Sequence, residues 1–204
     1  MSSYTILAAA VESATDAKNS DFLTFLHPVT QREEAMVLVE QYRQQYPSAN
    51  HVCWAYVIGN SRQPLTQAFS DDGEPSGTAG KPMLHVLTER DVGNCLAVVV
   101  RYFGGVKLGA GGLVRAYSAA VSTAVNAAEL LAVTPKVQLQ VRVDFAREAK
   151  VRHWVDQYHG LLEAVEYSAE VLLIISLAAA QADEFITTIT NETAGAAQVR
   201  INSD

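Results

Sequence analysis

The sequence predicts an α+β protein of two domains divided near Thr134, and three observations predict it. Up to Thr134, apolar runs of strand length alternate with longer amphipathic runs, and one core needs them all. Pro135 interrupts that pattern. After it the order reads strand, helix, strand, strand, helix, strand, the βαββαβ order of ferredoxin-like units. The expected domains are residues 1–134 and 135–204.

The elements follow in order. "YTILAAAVE" and "FLTFLHP" read as extended, with the polar stretch "SATDAKNSD" between them. "TQREEAMVLVEQYRQQYP" reads as a helix. Thr30 and Glu33 have capping-box spacing, Met36, Leu38, Val39 and Tyr42 form an apolar stripe, and Pro47 is the stop. "HVCWAYVIG" is a strand ending at Gly59, and "LTQAFS" is another. "PMLHVLTERDVG" is a short helix with Pro82 at its first position, closed near Gly93. "CLAVVVRYF" is a buried strand, and an alanine-rich helix is expected from Leu113 to Val133.

Beyond Pro135, "KVQLQVRVD" alternates apolar and polar residues as a half-exposed strand does. "REAKVRHWVDQYHG" is a helix with Val151, Trp154, Val155 and Tyr158 inward and Gly160 as its C-terminal cap. "LLEAVEYSA" and "EVLLIISLA" are adjacent strands, the second apolar on both faces as a strand covered on both sides would be. "QADEFITTITNETAG" is a helix and "AAQVRI" the last strand.

Composition bounds the function. At 49% hydrophobic and 18% charged, the 204 residues can bury a real core. The longest apolar run, "VLLIISLAAA", is half the length of a membrane span, and the N-terminus lacks the basic lead of a secretory signal. A soluble, cytoplasmic protein is expected. Cys53 and Cys95 lack CxxC spacing and read as reduced core thiols. A net charge of −7 argues against a general nucleic-acid coat protein, though a local basic patch stays open.

Two loops carry the motifs. "SDDGEPSGTAGKPM" has a turn at Asp72-Gly73 and three acidic residues, but no calcium-loop spacing and no nearby histidine, so no metal is expected. "RYFGGVKLGAGGLVRAY" fits neither nucleotide template. Ala110 and Gly111 stand where a P-loop needs Lys and Ser or Thr, and Val114 fails the third glycine of a dinucleotide loop. Its helix nevertheless starts on glycine, with Arg115 read into the first turn, a placement unfavourable at the positive end of the helix dipole. Two occupants would relieve this: a bound anion, or a carboxylate from Asp71, Asp72 or Glu74.

The candidate anion or nucleic-acid site is Lys81, Arg101, Gly104, Gly105, Lys107, Gly109, Gly111, Gly112 and Arg115. His51 and Cys53 share a strand face, where a Cys–His pair is conceivable, but the apolar run favours a buried inert thiol. No catalytic residue and no cofactor is assigned.

Together these loops, with His51, Cys53 and Ala55 in the pattern H-x-C-x-A, strongly resemble the IMPACT family in its bacterial YigZ branch, over the whole chain. One departure is visible: "AKNSDF" stands where "KKSRF" is usual, with Asp21 in place of an arginine. The resemblance implies an N-terminal domain like the second domain of a small-subunit ribosomal protein. It implies a C-terminal domain like one at the end of elongation factor G, and marks Asp71, Asp72, Gly73 and Glu74 as the family's acidic loop. It also implies a link to translation, since eukaryotic relatives regulate it by binding a protein partner that controls a stress kinase.

The expected function is a non-enzymatic, translation-linked binding protein that contacts RNA, the ribosome or a translation factor through the Gly-rich basic loop. On that reading, exchanging Arg101 and Arg115 for glutamate abolishes RNA contact. The second domain lacks the stacking aromatics of an RNA-recognition sheet on "VQLQVRV" and "VLLIISL". The alternative is a small-molecule phosphate-binding or phosphoryl-transfer enzyme. The implied N-terminal fold also occurs in the galactokinase–mevalonate kinase group, but "LGAGGLV" lacks that group's paired serines.

Overall fold

The computed structural model describes residues 3–202. The chain forms two units, Tyr4–Val133 and a second from Thr134 onward. In the first, β1 (Tyr4–Leu7), β2 (Val11–Ala17) and β3 (Ser20–Pro28) precede α1 (Arg32–Gln45). Next come β4 (His51–Asn60), β5 (Gln63–Ser70), α2 (Gly80–Glu89), β6 (Cys95–Tyr102), α3 (Ala110–Ala127) and β7 (Leu130–Val133). Five strands make one antiparallel sheet in the order β2-β3-β6-β4-β5, and β1 pairs with β7.

Strand β6 shows why this sheet is buried on both sides. Cys95, Ala97 and Val99 pack into one cluster with Met83, Leu87 and Tyr117 of α2 and α3. Leu96, Val98 and Val100 pack into the other with Ala35, Val39 and Tyr42 of α1. The run from Cys95 to Val100, apolar at every position, therefore serves two cores, each buried aliphatic side chain contributing about 1.5–3 kcal/mol.

Several local expectations shift. Residues 13–17 are strand, not separator, because an edge strand needs only one covered face. The reversal is confined to Lys18 and Asn19, both at positive φ (47° and 62°), as a two-residue hairpin turn of the mirror-image type requires. The capping box of α1 uses Gln31 and Glu34, one residue later than Thr30 and Glu33. Glu34 accepts from the Thr30 and Gln31 amides, and those bonds, Thr30 foremost, lower its pKa. Helix α2 starts at Gly80, so Pro82 is its third residue, where its missing N–H still costs nothing. Helix α3 starts at Ala110 and stops at Ala127. Leu130–Val133 leave it to pair with Tyr4–Leu7, a long-range ladder that overrides local helix propensity.

His27 of β3 hydrogen-bonds the Tyr42 hydroxyl through Nε2 at 2.7 Å. Burial lowers its pKa below the ordinary histidine value, against a smaller opposing effect of Glu12. The unfolded chain then binds this proton more readily than the folded one. Its contribution is present above about pH 6.5 and is lost as pH falls from there through the folded pKa. We expect His27→Gln to flatten the acid limb of stability measured by urea unfolding between about pH 7 and pH 5. An unchanged limb would show that His27 titrates alike in both states.

The second unit runs β8 (Lys136–Val143), α4 (Glu148–Gln157), β9 (Leu161–Tyr167), β10 (Val171–Ala178), a single 3-10 turn, α5 (Ala182–Glu192) and β11 (Gln198–Asn202). Its sheet order is β11-β8-β10-β9, all antiparallel, the ferredoxin-like arrangement. Val151, Val155, Phe185 and Ile189 of the helices meet Leu139, Val141, Leu173 and Ile175. Leu172 and Ile174 alternate to the other face and are only half-buried, so helices of this unit cover β10 on one side, not two. At the end of α4, His159 (φ 52°) takes the left-handed position expected of Gly160. The Gly160 amide instead closes the helix on the Val155 carbonyl at 2.8 Å. Among the described residues no helix is long and apolar enough to cross a membrane.

Candidate functional site

A cavity of about 420 Å³ lies where β6 ends and α3 begins. Its floor is set by three side chains from different elements. Arg101 is delivered by the last turn of the β6 pleat, Glu74 by the acidic loop, and His51 by the first residue of β4. Arg101 Nη1 donates to Glu74 Oε1 at 2.5 Å, and the Tyr117 hydroxyl donates to the same oxygen at 2.8 Å. Arg101 Nη2 reaches Ser20 Oγ at 3.3 Å, while Nε has no partner. The guanidinium lies 5.5 Å from the Phe22 ring centroid and 5.6 Å from that of Phe103. Both members of the pair are about 95% buried, at 5% and 4% side-chain exposure. Arg101 is thus a structural cation, neutralised where the sequence had suggested a free one.

The acidic loop is organised by its own carboxylates. Asp71 Oδ1 accepts from the Ala79 and Gly80 amides at 3.0 and 2.9 Å, and Oδ2 from Gly77 at 2.7 Å. It therefore caps α2, supplying the acceptor that Ala79 at the N-cap cannot. Asp72 Oδ2 accepts from the Val52 amide and Oδ1 from Arg43. Asp72 (φ 43°) and Gly73 (φ 86°) make the turn that lays this loop beside His51. Since the Asp72 carbonyl can only accept, His51 Nδ1 donates to it at 2.8 Å and carries the ring proton. Nε2 then faces Glu74 Oε2 at 3.8 Å.

None of the three carboxylates bonds the start of α3. No side chain caps it, and the Ala110, Gly111 and Gly112 amides have no acceptor within the helix. Gly109 (φ 73°) is the N-cap, so Arg115 falls in the second turn, not the first. Gly105 (φ 87°) faces open space, and Gly104 lies against the backbone of Asn19.

The expected basic cluster is dispersed. Arg101 and Lys107 line the cavity; Arg115 lines a separate groove with Lys18 and Asp16; Lys81 lies in a third hollow with Arg62 and His85. Of these, exposed Lys107 is the unpaired cation lining the cavity beside the start of α3, while Arg115 Nη1 lies 3.7 Å from the Cβ position of Gly111. Cys53 is buried, with Sγ 3.0 Å from the Asp71 carbonyl and 3.3 Å from the Tyr117 hydroxyl. Burial drives its pKa well up, which keeps it a thiol and removes it as a nucleophile. Burial also raises the Tyr117 pKa, reinforced by its neighbours Cys53 and Glu74. Among the described residues no group of three or more His, Cys, Asp or Glu side chains could hold a metal.

Sequence reasoning missed Tyr117 and Ser20. The signal for Tyr117 was its helical spacing from Leu113 and Ala120, which buries a hydroxyl that must then find a partner.

Fold and site together define a two-unit α+β protein whose glycine-rich loop frames a cavity floored by a neutralised ion pair. Residues 18–125 match the Impact N-terminal domain, and residues 141–196 a domain of unknown function, DUF1949. The chain belongs to the IMPACT family, as the resemblance of its two loops implied. It is 38% identical over 199 residues to the IMPACT family member YigZ of Escherichia coli K12, covering 98% of each chain. The IMPACT homolog of Saccharomyces cerevisiae is 37% identical over 103 residues, covering 49% of this chain and 39% of that protein. A crystal structure of a hypothetical protein superposes with TM-score 0.65 at 36% identity, covering 100% of this chain and 99% of that one.

Proposed function

We propose that this is a non-enzymatic, cytoplasmic, translation-linked binding protein that docks a protein partner through the loop 103–112. The translation context is carried over from the family resemblance. The observation that supports docking over chemistry is the cavity itself. It offers hydrogen-bond donors at Lys107 and the Ala110 amide that opens α3, while its acid and its cation are spent on each other and its nearest thiol is buried. A protein partner presenting a carboxylate is favoured over an RNA strand. Tracking phosphates takes several cations along one path, and here Arg101 is neutralised by Glu74 and Lys81 lies in another hollow, leaving Lys107 and Arg115 about the loop.

Capture from native extract at moderate salt, with and without RNase, tests this. We expect a partner that survives RNase and is lost with Lys107→Glu. A partner that vanishes with RNase, or binds the variant equally well, overturns the reading. The uncapped α3 amides also suit a small phosphate-bearing ligand, a second reading that the buried carboxylate of Glu74 opposes. Thermal unfolding with ATP and magnesium checks it, a rise in Tm counting in its favour.

A further inference from the structure

We infer that the group docked in this cavity is the free C-terminal carboxylate of a peptide whose last side chain is apolar. The inference rests on the docking reading of the loop and names the chemistry that reading leaves open.

The cavity has three chemically distinct parts. One is a donor pole: exposed Lys107 and the Ala110 amide that opens α3, which has no acceptor within the helix and no side-chain cap. A carboxylate there accepts charge-assisted hydrogen bonds at the positive end of an 18-residue helix. The second is an apolar wall of Phe103, Leu108, Leu113 and Pro75. The third is an acceptor pole, His51 Nε2 and Glu74 Oε2, 3.8 Å apart. In the neutral imidazole both are acceptors facing each other, and one N–H placed between them serves both. A peptide C-terminus carries these groups around one Cα: a carboxylate, a side chain and an amide N–H.

Charge selects a monoanion. The floor cation, Arg101, is matched by Glu74 at 2.5 Å, although its Nε, in a side chain only 5% exposed, has no partner. A carboxylate thus meets Lys107 and the helix end without further compensation, whereas a polyphosphate would lie over a buried Glu74 in a chain of net charge −7. Exposure selects a chain over a small molecule. Phe103 at the rim is 42% exposed and Val106 on the same loop 44%, apolar surface that preceding peptide residues would cover.

The test is fluorescence anisotropy on the full chain with a labelled hexapeptide ending in Ser-Ala-Leu. The free acid and the C-terminal amide are compared, with N-acetylleucine as an unlabelled competitor. We expect the free acid to bind about tenfold or more tighter than the amide, the loss of a charge-assisted contact. Ala110→Pro and Lys107→Ala should each weaken the acid severalfold and shrink its preference over the amide. Proline at the first helical position deletes one amide donor without breaking the helix, and thermal unfolding verifies that it folds. Equal binding of acid and amide overturns the inference. So does N-acetylleucine competing as well as unlabelled peptide, which would assign the cavity to a small carboxylate. If no peptide binds while extract capture still depends on Lys107, the inference fails and the docking reading stands. Capture that ignores Lys107 removes the docking reading itself.

Discussion

Glu74→Ala is expected to destabilise the first unit by about 3–5 kcal/mol, the range for breaking a buried ion pair from one side. The substitution removes the acceptor of both Arg101 and the Tyr117 hydroxyl. Arg101, at 5% exposure and between the Phe22 and Phe103 rings, would keep a charge with no counter-ion. Thermal unfolding should show Tm falling on the order of 10 °C. Combining Glu74→Gln with Arg101→Met should recover much of the loss, because the cost lies in the orphaned charge and not in the absence of the pair. A loss below about 1 kcal/mol for Glu74→Ala would show that the pair is worth no more than an exposed one.

The same network changes how arginine substitutions are to be read. Arg101→Glu would set two buried carboxylates together, so lost binding by that variant would report damage to the fold. Arg115 lines a different groove. Lys107, exposed on the loop, is the position where a charge change tests recognition alone.

Gly104→Ala is expected to displace the whole loop. A Cβ at this position would stand 1.6 Å from the Asn19 carbonyl oxygen and 2.0 Å from its carbon. These are backbone atoms of the β2–β3 turn, which Lys18 and Asn19 already hold at positive φ, so no side-chain rotation relieves the clash. The loop would also lose the contact of the Gly104 amide with Ser20 Oγ at 3.3 Å. Stability should fall by about 1–3 kcal/mol, as for other overpacked sites. Partner capture should fall with it, since Phe103, Lys107 and Gly109 move together. Gly105→Ala is the control: its Cβ meets open space, and only the left-handed φ of 87° costs about 1–2 kcal/mol. Equal Tm and equal capture for the two variants would refute close approach as the reason for glycine at 104.

Much of this protein was determined by its sequence alone. Period-two and helical patterns placed most elements, β6 as a buried strand among them, because hydrophobic periodicity is a local property. The two loop motifs identified the family for the same reason: a long run of glycines at set spacing is written along the chain. Tertiary structure decided what the periodicity could not carry. Leu130–Val133 left a helix because β1, at the far end of the unit, waited to pair, Tyr4 opposite Val133 at one end and Leu7 opposite Leu130 at the other. Lys81, Arg101, Lys107 and Arg115 looked alike as cations within one stretch. Only the fold buried one against Glu74, sent two to other hollows and left Lys107 at the mouth of the cavity. Charge state and exposure depend on neighbours brought in from distant segments, and a distance of 2.5 Å between residues 74 and 101 is not a property of either segment alone.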